Sequence, residues 1–158
     1  MLLLSWVPVL TSFFTLGAAE PNARCRCLSI DSSCWPSPRA FATLASQLSQ
    51  PLLHPVPPES ACYPPMAPSS NCSIANANAL DSRWRSDQPG ATQATNWETY
   101  IFPNGTIEAC YLNATITGRC DQGSVPPVGV DARTPEDVQA AVRFAAKYGL
   151  RLVVKNTG

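Results

Sequence analysis

Charge and histidine are both scarce in this sequence. Only 14% of its 158 residues are charged, and eleven Lys and Arg balance eleven Asp and Glu. No basic excess draws the chain to nucleic acid or to an anionic membrane surface. The single histidine, His54, stands in a proline-rich stretch and reads as an exposed loop residue. Cys25-Arg26-Cys27 spaces its thiols by one residue, against about two to four in a zinc knuckle. No second close pair of thiols follows, so no metal site is expected. Strand-like runs are also scarce: the first hundred or so residues offer few.

Proline, in contrast, is abundant. Its sixteen copies are about twice the usual share of roughly 5%. Seven fall between Pro51 and Pro68, where regular structure cannot persist. The apolar share is 45%, enough for a core in a chain of single-domain length.

Met1 to Leu16 contains no charged side chain, and Gly17-Ala18-Ala19 supplies small residues for a peptidase. Residues 1–19 therefore read as a secretory signal peptide, with an uncleaved membrane anchor as the rival reading. Cleavage would leave a chain with no membrane attachment. Seven cysteines follow the signal: Cys25, Cys27, Cys34, Cys62, Cys72, Cys110 and Cys120. In an oxidising compartment all are disulfide candidates, with the pairing open. The odd one is a free thiol, or pairs with another chain, or with a cysteine outside this sequence. Three N-glycosylation acceptors, at Asn71, Asn104 and Asn113, agree with export to the extracellular space. Asn71 is the doubtful one, because Cys72 is the middle residue of its triplet and a disulfide there obstructs the modifying enzyme.

Residues 20–127 form a cysteine- and proline-rich segment with two expected helices. Ser37 caps the first and Pro38 suits its first turn; Phe41, Leu44, Ala45 and Leu48 share one face, and the helix should end near Ser49. The second runs from Ser73 to about Arg85, with Ile74, Ala77, Leu80 and Trp84 at helical spacing. A short strand is expected over 97–102, a turn at Asn104-Gly105, and an extended piece over 110–117.

Beyond Pro127 the texture changes. Residues 128–132 read as a strand. Thr134-Pro135-Glu136-Asp137 is a helix start, with a Thr cap, Pro at the first position and acids in the first turn. Val138, Ala141, Val142 and Ala145 form an apolar stripe; Lys147 lies in the last turn and Gly149 supplies a left-handed cap. Leu150 to Lys155 is the next strand. Residues 128–155 thus read as a right-handed βαβ unit, which needs further strands to finish its sheet.

The run from Thr134 to Ala145, followed by Gly149 to Gly158, resembles the start of the FAD-binding domain of the berberine-bridge-enzyme-like branch of the vanillyl-alcohol-oxidase superfamily. Cys25-Arg-Cys27, Cys34-Trp-Pro-Ser37, Pro57 to Cys62, and Cys72 with Trp84 resemble the upstream part of its secreted fungal members. The resemblance implies an α+β fold: the start of a PCMH-type FAD-binding domain at 128–158, preceded by a loop-rich, disulfide-bearing segment, and incomplete. It implies FAD as cofactor, with the turn Lys155, Asn156, Thr157 and Gly158 laid against its pyrophosphate. Backbone N–H groups in such a turn suit an anion, and glycine permits close approach. It also implies oxidation of a small organic substrate, as in secondary-metabolite biosynthesis. The family's flavin-linking histidine usually comes next, and neither it nor a catalytic base lies within 1–158. FAD binding by these residues alone is therefore expected to be weak or absent. The competing reading is a secreted, disulfide-rich protein without enzyme activity, or an inactive remnant. Substrate identity and oligomeric state are not legible.

Overall fold

The computed structural model describes Cys27, Ile30, and residues 33–65, 70–92, 94 and 98–156. The signal-peptide residues, Cys25, Thr157 and Gly158 lie outside the described residues. The fold is mixed α and β. Among the described residues, four α-helices, α1 (Pro38–Ala45), α2 (Ser70–Ala77), α3 (Ser82–Asp87) and α4 (Pro135–Tyr148), accompany a 3-10 turn at Pro58–Cys62. Four two-residue strands, β1 (Leu52–Leu53), β2 (Tyr100–Ile101), β3 (Ile107–Glu108) and β4 (Gly129–Val130), make two small antiparallel sheets. β1 pairs with β4, Leu52 opposite Val130. β2 and β3 form a hairpin, Tyr100 opposite Glu108, around the expected turn at Asn104-Gly105, where Gly105 has φ 83°. Among the described residues no helix is long and apolar enough to cross a membrane.

α4 forms where its end signals dictate. The Thr134 hydroxyl accepts from the Asp137 N–H, and the Asp137 carboxylate accepts from the Thr134 N–H, closing a capping box. Gly149 ends the helix at φ 61°, a left-handed conformation that glycine enters without a Cβ clash. The buried face is rotated from the expected stripe. Asp137, Ala140 and Ala145 are buried, whereas Val138 and Val142 are about half exposed. α1 packs on this face through Phe41 and Phe144, whose ring centroids are 5.2 Å apart; Trp35 and Tyr148 extend the stack. Asp137 belongs to the buried set because its carboxylate binds the segment after α1: it accepts from the Ser49 N–H at 2.8 Å and the Ser49 hydroxyl at 2.6 Å. It also accepts from the Arg133 N–H at 2.9 Å. These bonds to the charged form, those from Ser49 foremost, hold the Asp137 carboxyl well below the usual carboxylate range.

The expected helix over 73–85 is two helices. Asp81 ends the first run and caps the second, its Oδ1 accepting from the N–H groups of Arg83 and Trp84. A short acidic side chain competes with helix continuation by bonding the backbone locally. The break turns Leu80 into solvent (95% exposed) and buries Ala75 and Ala79 instead. The 110–117 segment is not extended but a series of turns, closed by the Cys110–Cys120 disulfide. Cys27–Cys34 and Cys62–Cys72 complete the described pairings, the latter tying the 3-10 turn to α2.

The second arm of the expected βαβ unit also departs from expectation. Residues 151–155 lie in no sheet, and β4 takes β1 as its neighbour. Leu150 makes one parallel bridge, to Cys27. A strand is defined by a neighbour's hydrogen bonds rather than by its own residues, and no described strand lies beside 151–155. Leu152, Val153 and Val154 are accordingly 49, 57 and 86% exposed.

Candidate functional site

The turn expected to meet a cofactor begins at Lys155, whose ammonium bonds carbonyls at the end of α3, and α3 carries the central residue of a buried ionic cluster. Arg85 projects from α3 and is completely buried. Its Nη1 donates to Glu59 Oε1 at 2.8 Å, its Nε to the Thr92 carbonyl at 2.8 Å, and its Nη2 to Glu98 Oε1. Glu59 comes from the 3-10 turn and Glu98 from the segment before β2, so one guanidinium joins three parts of the chain. Glu98 Oε1 also accepts from the Thr92 N–H at 2.8 Å. The second oxygens of Glu59 and Glu98 have no partner among the described residues.

One buried cation faces two buried carboxylates, and burial disfavours every charge in the set. Desolvation, the largest influence, raises the Glu98 carboxyl above its ordinary value. For Arg85 burial is again the largest influence and acts against the charge, yet the bonds and charges of Glu59 and Glu98 together leave it raised. Within the cluster burial thus weakens the charged form of Glu98, while its carboxylate partners preserve that of Arg85.

Two glycines allow the close approaches around this cluster. A Cβ on Gly90 would meet the Val56 carbonyl oxygen at 1.9 Å, and one on Gly123 (φ 57°) would meet the Glu98 carbonyl oxygen at 2.0 Å. Neighbouring Ser124 donates its N–H to that Glu98 carbonyl at 2.8 Å.

Lys155 reaches back to α3. Its ammonium donates to the Gln88 carbonyl at 2.5 Å and to the Arg85 carbonyl at 3.4 Å. These carbonyls stand at the helix C-terminus, where the helix dipole favours a cation. Desolvation pulls the Lys155 amine below its ordinary value, with Arg85 adding to the shift and Glu98 and Asp87 opposing it. Residues 151–156 are exposed, and no backbone hydrogen bond among the described residues engages the N–H groups of Lys155 and Asn156, which leaves main-chain groups of the kind that suit an anion. Two of the three donors of the Lys155 ammonium are thus directed at main-chain carbonyls of α3 and its cap. This engagement was not legible in the sequence.

The remaining expected site residues are dispersed. Asn71, Asn104 and Asn113 are all exposed. Asn104 Oδ1 accepts from the Thr106 N–H, and Asn113 Oδ1 from the Thr115 N–H and hydroxyl. Asn71 lies within α2, beside the bonded Cys72. His54 is exposed at the margin of a groove of about 540 Å³ that also touches Trp84 and Ile74. That lining holds no other titratable side chain and lacks the convergent polar groups of an active site. No cluster of metal-ligating side chains occurs among the described residues.

No family model matches the chain. Individual proteins do. It is 41% identical over 98% of its length to an "Uncharacterized FAD-linked oxidoreductase" of Arthroderma benhamiae, of which it covers 26%. It is 33% identical over 95% of its length to the FAD-linked oxidoreductase asqF of Emericella nidulans, covering 25% of that protein. With the FAD-linked oxidoreductase penH of Penicillium thymicola it shares 35% identity over 90% of its length, covering 24%. Among solved structures it superposes on the VAO-type flavoprotein MtVAO615 of Myceliophthora thermophila C1 with a TM-score of 0.68 and 28% identity; the match covers 83% of this chain and 23% of that one. The chain thus spans about a quarter of the length of the relatives it matches.

Proposed function

We propose that this sequence, whose relatives are fungal FAD-linked oxidoreductases and whose fold is shared with a VAO-type flavoprotein, is part of a secreted, glycosylated flavoprotein that oxidises a small organic substrate, as in secondary metabolism. The observation that carries the reading is likeness to FAD-linked oxidoreductases along 98% of the chain, joined to a common fold over 83% of it. FAD, when bound, supplies the hydride-accepting chemistry. The part of this chain is to hold and orient: the main chain at Lys155 and Asn156 opens the turn for the pyrophosphate; Thr157 and Gly158, also expected in that turn, lie outside the described residues. No residue of 1–158 is assigned as base or flavin ligand. The triplets at Asn104 and Asn113, on exposed turns, and the three disulfides support passage through an oxidising secretory compartment.

The test is expression of this sequence continued to the length of its relatives in a secreting fungal host. The reading expects the purified protein to show flavin absorption and to consume oxygen with an organic substrate. Residues 1–158 alone should bind FAD weakly or not at all. A colourless, well-folded full-length protein would overturn the assignment.

A further inference from the structure

Residues 151–156 carry a contradiction. They are exposed and pair with no described strand after the single bridge at Leu150, yet the segment has a definite course. What fixes its far end is Lys155. Its ammonium grips the Gln88 and Arg85 carbonyls, across 67 and 70 residues of sequence. Arg85 is in turn the buried hub that joins α3 to Glu59, Thr92 and Glu98. The grip therefore runs to an element held on three sides, not to a loose loop.

We infer that Lys155 is a positioning residue: its side chain clamps the segment 151–156 to the C-terminus of α3 and so sets where the turn that begins at its own backbone starts. The inference rests on the flavoprotein reading above and refines it. A lysine beside a pyrophosphate is ordinarily taken as a charge partner for it. Here the ammonium donates to the Gln88 and Arg85 carbonyls, which gives it a structural task of its own. A helix C-terminus holds a cation by charge-assisted bonds, and ordering a loop beforehand lowers the entropy lost when a ligand binds it.

The experiment uses the full-length protein with three substitutions: Lys155→Met, Lys155→Arg, and Asp137→Asn, the last a destabilising control away from the turn. Flavin content of the purified protein, the flavin absorption and visible circular-dichroism spectrum, and Tm are measured for each. Lys155→Met is expected to lower FAD retention by about tenfold, the effect of losing one charge-assisted clamp on a pre-ordered loop, and to alter the flavin dichroism. Lys155→Arg restores most of both, because a guanidinium also donates to carbonyls. Asp137→Asn lowers Tm but leaves flavin content and dichroism unchanged. Equal flavin content and dichroism in wild type and Lys155→Met overturns the inference while leaving the flavoprotein reading intact. The inference also falls if Asp137→Asn loses flavin in proportion to its Tm as Lys155→Met does, since stability alone then accounts for the loss. A wild type without flavin overturns the underlying reading, and this inference with it.

Discussion

Replacing Arg85 with Met tests whether the buried ionic cluster organises this fold. Arg85 has no exposed surface, and its guanidinium serves Glu59, Glu98 and the Thr92 carbonyl together. Met fills most of the aliphatic volume but donates to none of them. Two carboxylates then lie buried with no cation, and breaking one side of such a cluster costs about 3–5 kcal/mol. Against a total stability of roughly 5–15 kcal/mol this is a large fraction, equivalent to a fall in Tm of about 10 °C. Urea unfolding followed by tryptophan fluorescence reads it. The pH dependence carries the sharper diagnosis. Without the cation the Glu98 carboxyl, already raised by burial, loses the Arg85 bond and charge that oppose that rise and is raised further, so the folded state binds more protons. The deficit must then shrink as pH falls from 7 towards 4.5, because protonation removes the uncompensated charge. In the wild type the raised Glu98 acts in the same direction: its contribution is fully present below its ordinary pKa and is lost as pH rises through the folded value. Glu98→Gln, which mimics the protonated acid, should therefore cost less than Arg85→Met. A Met variant within about 1 kcal/mol of wild type, or a deficit unchanged between pH 7 and 4.5, would refute the account of a buried, charge-limited cluster.

Two further outcomes follow from local geometry. Asp137→Asn places an amide donor where Asp137 Oδ2 accepts from Arg133, Thr134 and Ser49, or the Ser49 N–H loses its acceptor instead. It should lower Tm by more than Ser49→Ala does, since the latter removes one of those donors and leaves the cap intact; calorimetry checks this. The Asp137 contribution is present above the ordinary carboxylate pKa and is lost as pH falls through its depressed folded value, so the Asn variant should approach wild type only in strong acid. In protein collected from a secreting host, Asn104→Gln and Asn113→Gln should each remove one glycan on a denaturing gel, whereas Asn71→Gln should change nothing, because Asn71 lies in α2 beside the Cys62–Cys72 bond. A glycan found by mass spectrometry at Asn71, or none at the other two, would contradict this.

The features legible in the residues were those decided within a few positions of one another. Thr134, Pro135, Asp137 and Gly149 mark the ends of α4 because a helix's unpaired N–H and C=O groups are met by its own flanking residues. Ser37 and Pro38 start α1, and Asn104-Gly105 turns the β2–β3 hairpin, for the same local reason. The likeness of 134–158 to an FAD-binding domain was likewise carried by a continuous run. What only the tertiary structure decided were matters of partnership across the chain. Cysteine spacing admits many pairings until folding brings Cys62 to Cys72 and Cys110 to Cys120. The helical period of 73–85 ran through Asp81, but Ala75 and Ala79 found the core and Asp81 became a cap. An apolar run such as Leu152-Val153-Val154 states a preference for extension, yet it becomes a strand only where a neighbour supplies hydrogen bonds. Glu59, Arg85 and Glu98 are unremarkable charges in the sequence; they act together because a common loss of water forces them to satisfy one another. Lys155 stood in the expected cofactor turn, but its bonds to the Gln88 and Arg85 carbonyls, 67 and 70 residues away, exist only once the chain is folded.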